Sequence, residues 1–291
     1  MDPVELFYQV DEFCKMYEQE IGKHLIGEKR QSSSKNALFP SEIMTLRIMF
    51  HTSGYKTFKD YFKRNRAELL SYFPNLVSYS RFVELCNGLV MPFIIFAKIF
   101  CTVECDGMSY IDSTKLEVSH IRRASSHKTF KGIAAKGHTS VGWFFGFKLH
   151  LVTNVFGYIV DFDITSGNVA DNNQSLIKKI TKKLMGKLFG DRGYLLNKKL
   201  YTELLSKGLT VITKVRSNMK PQIMTHEDRT ALQKRGISET IIGILKESLS
   251  LEHSRHRSKY ALFVHIASTL IAYFFRPNKP TIAFPHELIA A

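Results

Sequence analysis

The chain has 291 residues, with 41 Lys and Arg against 26 Asp and Glu, a formal net charge of +15. Hydrophobic residues at 44% and charged residues at 23% are those of a globular protein with a full core, and they exclude a disordered or fibrous chain. The positive excess points to a polyanionic partner, nucleic acid ahead of an anionic membrane surface.

Residues 1–105 read as helical. Asp2, Glu5 and Asp11 interrupt any apolar leader, so no signal peptide is expected. Val4, Phe7, Val10 and Cys14 recur at helix spacing in a run that ends before Gly22. The polar, basic Gly27–Asn36 stretch reads as a linker. Pro40-Ser-Glu then opens a helix through Phe50, with Ser41 as N-cap and Ile43, Leu46 and Met49 facing inward. Phe58–Phe73 is amphipathic, with Tyr61, Phe62, Leu69 and Leu70 inward, and Tyr79–Phe100 is apolar enough for a central packing helix. Such a region serves either as a packing and dimerisation unit or as a small helical reader of DNA ends. Met91–Val103 and Tyr260–Phe275 are too short for membrane spans and read as buried helices, so no membrane association is expected. The cysteines at 14, 86, 101 and 105 lack the spacing of a disulfide framework or a zinc site, and read as reduced thiols of a cytosolic protein.

From Gly107 the period changes. Tyr110–Ile111, Phe145–Val155 and Tyr158–Ile164 are strand-like, the last two turning at Phe156-Gly157. A basic helix over Asn172–Met185 follows, then a short strand ending in Gly190-Asp-Arg-Gly193. A helix over Lys198–Lys207, a strand over Thr210–Val215 and a last helical region from Arg229 to Phe275 complete the order. This is an α/β arrangement with a mixed sheet, preceded by an all-helical region. The expected divisions are 1–105, 106–275 and a tail at 276–291.

Met108-Ser-Tyr-Ile-Asp-Ser-Thr114 carries an acid, Asp112, in an apolar strand, which is costly unless something neutralises it. Beyond it come His120, Arg122, Arg123, Lys128, Lys131 and Lys136, with no Asp or Glu between Ile121 and His150. A basic loop of this kind suits DNA phosphates. Three acids sit at element ends: Asp112, Asp191 and Glu239, with Asp161, Asp163, Asp171, Glu247 and Glu252 as rivals by composition. Carboxylates converging from several elements suit a pair of magnesium ions, which take hard oxygen ligands and share phosphate oxygens. Lys178, Lys179, Lys182 and Lys183 read as a solvated helix face, and His253 and His256 as phosphate-binding or surface residues among arginines. Trp143, the only tryptophan, is expected in the core, with stacking on an extruded base as the sharper alternative.

Arg235, Glu239 and Lys246 are spaced so that, at roughly 100° per residue, they share one helical stripe. A surface salt-bridge stripe has the same spacing. The order of these pieces, however, resembles the DDE transposases of bacterial insertion sequences, in the group with the Y-(2)-R-(3)-E-(6)-K signature. Arg235, Glu239 and Lys246 fit that spacing, while Leu232 stands at the tyrosine position. Ile111-Asp-Ser-Thr114 resembles the first-aspartate strand and Gly190-Asp-Arg-Gly-Tyr194 the second-aspartate motif. Ser166-Gly-Asn-Val-Ala-Asp171 resembles a segment that often lies between them. The match spans about residues 106–260.

The resemblance implies an RNase H-like catalytic domain, with Asp112, Asp191 and Glu239 as the catalytic, metal-binding triad. It implies two Mg2+ ions, with Mn2+ as a substitute, and Arg235 and Lys246 as contacts to double-stranded DNA. It also implies cleavage at the element's terminal inverted repeats, and then attack of the freed 3′-hydroxyl on target DNA. A homodimer that synapses two ends is expected, in the bacterial cytoplasm and with the nucleoid when bound to DNA. The alternatives are an RNase H-like nuclease without strand transfer and a non-catalytic DNA-binding derivative.

Overall fold

The structure, a computed structural model, describes residues 2–24, 38–214, 224–252 and 256–283. The expected linker at 27–36, and Val215, His253 and Arg255, lie outside the described residues. By internal contacts the chain divides into a helical unit and a sheet-bearing unit.

The helical unit contains α1 (Pro3–His24), α2 (Pro40–Met49), α3 (Phe58–Arg64), α4 (Arg66–Tyr72), α5 (Tyr79–Gly88) and α6 (Val90–Ile99). Helix α11 (Lys259–Phe274) packs on α2, α5 and α6. Residues 256–277 therefore belong with the N-terminal helices, whereas 106–275 was expected as one domain. The inner face of α1 is Leu6, Val10, Phe13 and Cys14, so Val4 and Phe7 are exposed, contrary to expectation. Phe39, not Ser41, is the N-cap of α2, and the Glu42 carboxylate accepts from its backbone N–H at 2.7 Å. The expected single helix over 58–73 is two short ones meeting at Asn65, and Leu70 is exposed. The expected helix over 79–100 bends by 58° at Leu89. Pro92, in the first turn of α6, supports a helix start there, because its missing N–H costs nothing at that position. Among the described residues no single helix is long and apolar enough to cross a membrane.

Phe50, Phe58, Phe62 and Phe82 form the aromatic centre of this unit, with ring centroids 5.3 to 5.8 Å apart. Each such pair adds about 0.5–1.5 kcal/mol beyond its buried area. Beside them lies a buried polar seam. The Arg47 guanidinium sits 4.5 Å over the Phe58 ring and contacts His265 Nδ1 at 3.0 Å. His265 Nε2 lies 2.8 Å from the Ser250 carbonyl, which can only accept; Nε2 therefore carries the proton and Nδ1 accepts from Arg47. His51 lies between the Leu249 carbonyl and Ser268 Oγ, at 2.7 and 2.8 Å. Burial first, then the Arg47 charge, holds the His51 imidazole well below its ordinary proton affinity.

The unfolded chain therefore takes up the His51 proton before the folded one, and stability falls as pH drops below about 6.5. At full effect the loss is about 1.4 kcal/mol per pH unit. Urea midpoints at pH 7.5 and 5.0 should show this loss in the wild type and a smaller one in His51→Gln. Equal pH dependence in both proteins would refute it.

The second unit is built on one mixed sheet of β1 (Met108–Ser119), β2 (Ala135–Thr139), β3 (Gly142–Asn154), β4 (Ile159–Ser166), β5 (Gly186–Gly190) and β6 (Leu209–Thr213). The order is β2-β3-β1-β5-β6, and β4 also pairs with β3. Strands β2 and β4 share one edge of β3: β2 along Gly142–Gly146, β4 along Phe147–Thr153. β1 is antiparallel to β3 and parallel to β5, and β5 is parallel to β6. Helices α7 (Gln174–Ile180) and α8 (Lys198–Ser206) link the later strands. Ile177, Ile180, Leu200 and Leu204 bury against Ile111, Leu188 and Val211. This is the expected RNase H-like arrangement. Two differences stand out: β2 is an added strand inside the expected basic loop, and α7 is shorter than the helix expected over 172–185. Asn154 Oδ1 accepts from the N–H groups of Phe156 and Tyr158, and Gly157 turns at φ 75°, so the β3–β4 hairpin falls where expected. Helices α9 (His226–Gln233) and α10 (Gly236–Gly243) close this unit, and α10 lies against β1 and β3.

Candidate active site

Strand register places the first two acids. Ile111 of β1 pairs with Gly190 of the parallel β5, so Asp112 and Asp191, each one residue further on, project from the same face of neighbouring strands. Asp191 follows the last residue of β5 and caps a short 3-10 turn over Arg192–Tyr194, accepting from the Gly193 N–H at 2.7 Å. A Cβ on Gly193 would lie 2.9 Å from Asp191 Oδ1 and 3.4 Å from Asp171 Oδ2, so glycine is needed where the turn runs between two carboxylates.

Glu239 arrives on α10. Buried Ser238 fixes this helix to β3 through Thr153 Oγ1 at 3.2 Å, and the preceding α9 is tied to β1 by the Tyr110 hydroxyl, 3.3 Å from the Ala231 carbonyl. Glu239 is exposed and pairs with Arg235 at 3.2 Å. Leu232, at the signature's tyrosine position, is buried. From Ile244 to Ser248 the helix widens to π geometry. The 100° per residue used to align Lys246 with Arg235 and Glu239 does not carry through that segment.

Asp112 feels the charge of the other two acids. Burial raises the Asp112 carboxyl from an ordinary 3.8 to about 6; Asp191 and Glu239 push in the same direction, against the Ser113 N–H and Arg235. The buried Tyr194 phenol is raised well above its usual range, by burial first and then by Asp171, Asp112 and Asp191.

Asp171, the last residue of the Ser166–Asp171 motif and a rival to the triad by composition, is a fourth acid at this place. Its Oδ1 accepts from Ser113 Oγ and from Lys148 Nζ, both at 3.0 Å. Lys148 and His150 are buried on β3 and share one face of it. Burial lowers the His150 imidazole to about 4, so it is neutral at physiological pH; Nε2 bonds Thr165 Oγ1 at 2.9 Å, and Nδ1 is 3.9 Å from Asp171. Among the other rivals, Asp163 is occupied by Lys179 at 2.8 Å.

The expected DNA-binding residues Arg122, Arg123, Lys128, Lys131 and Lys136 are all exposed. Arg122 and Arg123 lie in a 3-10 turn, and Lys136 lies on β2 opposite Phe145. Of the lysines on and after α7, Lys178 pairs with Glu203 and Lys179 with Asp163. Trp143 is exposed, contrary to the core position expected for it, and His138 stands edge-on to it at 5.1 Å.

The donor set suits a hard divalent cation: carboxylate oxygens whose mutual repulsion a cation would relieve. Among the described residues, no three carboxylate, imidazole or thiolate groups are drawn tightly enough to enclose an ion unaided. Glu239 in particular is engaged by Arg235.

Asp112 thus lies on β1, Asp191 just past the end of the parallel β5, and Glu239 on a helix packed against β1 and β3. Residues 102–259 match the family model of the transposase DDE domain, and the chain belongs to that family. No curated protein matches it.

Proposed function

We propose that this transposase cleaves DNA at the ends of a bacterial insertion sequence and joins them to target DNA, with Asp112, Asp191 and Glu239 as its catalytic carboxylates. The observation that carries this reading is the β1–β5 register, which sets Asp112 beside Asp191 while Glu239 adds its charge to theirs. Bound Mg2+ or Mn2+ would supply activation of the attacking oxygen and neutralisation of the phosphate.

The chain's own residues do the rest. Asp112 on β1 and Asp191 just past the end of β5 provide oxygen donors, and the Gly193 N–H holds the Asp191 carboxylate in place. Glu239 brings a third carboxylate on α10 and pairs with Arg235; were it to hold a cation instead, Arg235 would be available to a DNA phosphate. The exposed cations between Arg122 and Lys136 hold the duplex. Two copies serve two element ends.

The test uses the full chain, DNA carrying the terminal repeats that flank its coding region, Mg2+ and a target plasmid. Nicked ends and joined products are expected. Cleavage without joining would make the protein a nuclease, and binding without cleavage would make it a DNA-binding derivative. Asp191→Ala and Glu239→Ala should each abolish cleavage and keep DNA binding.

The triple substitution of Lys128, Lys131 and Lys136 by glutamine should weaken DNA binding. The slope of log affinity against log salt should become shallower by about 2 to 3, one step of about 0.9 for each lost phosphate contact. An unchanged slope would remove these lysines from the interface.

A further inference from the structure

The β2–β3 hairpin ends in a tip that exposes two large apolar side chains, Val141 and Trp143. Thr139 pairs with Gly142 across the two-residue turn Ser140-Val141. Gly142 has φ 127°, a conformation open to glycine, and this lets the strand re-enter immediately with Trp143. Val141 is 84% exposed and Trp143 65% exposed, although Trp143 directly precedes the run Phe144–Asn154, which is buried throughout. Such a tip loses free energy to water for as long as it stays uncovered.

Its surroundings say what covers it. Between Ile121 and His150 there is no acidic residue. Lys136 is exposed on the same hairpin, and Arg122, Arg123, Lys128 and Lys131 are exposed in the segment that leads into it. An apolar partner surface would bring its own polar rim and gain nothing from this one-sided charge. A polyanion with flat apolar faces inside a phosphate envelope matches both features at once. Proteins that unstack or read DNA bases use this pairing of aromatic and cationic side chains.

We infer that the Val141–Trp143 tip is a DNA-stacking wedge: Trp143 stacks on a base that is unpaired or unstacked, Val141 fills the gap beside it, and the neighbouring cations hold the flanking phosphates. The wedge rests on the proposed action on DNA and adds to it a preference for locally opened duplex. His138 stands edge-on to the indole and leaves the ring exposed.

Trp143 is the chain's only tryptophan, so its emission reports on the tip alone. The full chain is titrated, in EDTA so that cleavage plays no part, with a labelled duplex that is either fully paired or carries one unpaired adenine. Anisotropy of the label gives binding, and tryptophan emission gives stacking. Quenching is expected with both duplexes, together with tighter binding of the duplex with the unpaired base. Trp143→Ala should lose that preference, by about fivefold to a hundredfold in affinity for the opened duplex, and keep its salt dependence. Trp143→Phe should retain most of it, which separates stacking from misfolding.

Binding with emission unmoved, or an equal preference in Trp143→Ala, would overturn the wedge and leave the cleavage reading standing. A concentration-dependent emission shift without DNA would assign the tip to a contact between two copies. Failure to bind either duplex would remove the DNA reading along with the wedge.

Discussion

Replacing Asp112 with asparagine is expected to raise the thermal midpoint of the metal-free protein while it abolishes strand cleavage. Asp112 is half-buried on β1, and burial with two nearby carboxylates raises its carboxyl from 3.8 to about 6. The folded chain then holds this proton more tightly than the unfolded chain does. Its contribution to stability is therefore present below about pH 4 and is lost as pH rises through about 6. Above that, the ionised side chain costs at most about 3 kcal/mol. Asparagine removes the charge and keeps an oxygen to accept from the Ser113 N–H, which bonds Asp112 at 2.7 Å.

At pH 7.5 in EDTA, Asp112→Asn should therefore melt several degrees above wild type, since each kcal/mol moves a domain of this size by about 2–4 °C. Near pH 4 the two midpoints should converge. Saturating Mg2+ should narrow or reverse the order, because binding at a hundred times the dissociation constant adds about 2.7 kcal/mol to the wild type. The variant, short of one ligand, gains less. A variant less stable than wild type in EDTA, or one that still cuts DNA, would remove Asp112 from the centre of the site.

The same residue shows what a linear chain can reveal. An acid amid strand-forming residues is visible in a sequence, and so is a second one ahead of Arg-Gly at the end of another strand. Their adjacency depends on the pairing of Ile111 with Gly190, across a separation that no local pattern encodes. Strand β2 was hidden for the opposite reason. Ala135-Lys-Gly-His-Thr139 has little intrinsic strand preference, and it is extended because β3 offers it an edge. Trp143 is expected in the core, yet Gly142 turns the chain there and leaves the indole outside, while Phe144 and Phe145 after it are buried. The break at Leu89 was masked by an apolar run that continues across it, and the place of α11 rests on contacts such as Arg47 with His265. Lys148 and His150 were legible only as interruptions in an apolar strand. Their partner Asp171 is distant in sequence and reaches them through the fold.

That partnership supports the second large effect. Lys148→Met should destabilise the protein by about 2–4 kcal/mol, more than the loss of a surface ion pair. The Lys148 and Asp171 side chains are 10% and 26% exposed, so removing the ammonium strands a largely buried carboxylate beside neutral His150 and close to the Asp191 turn. Most of the loss comes from the charge left behind, not from the contact removed. The double variant Lys148→Met with Asp171→Asn should therefore recover more than half of it, a coupling that a double-mutant cycle in urea measures directly. Activity should separate from stability. In the double variant Ser113 keeps an oxygen to donate to, but the electrostatic balance around Asp112 and Asp191 is altered. Cleavage should stay depressed, and the Mg2+ concentration for half-maximal rate should move away from the wild-type value. Additive losses in the cycle would show that Lys148 and Asp171 act independently. Wild-type metal dependence in the refolded double variant would confine the pair to holding up the sheet.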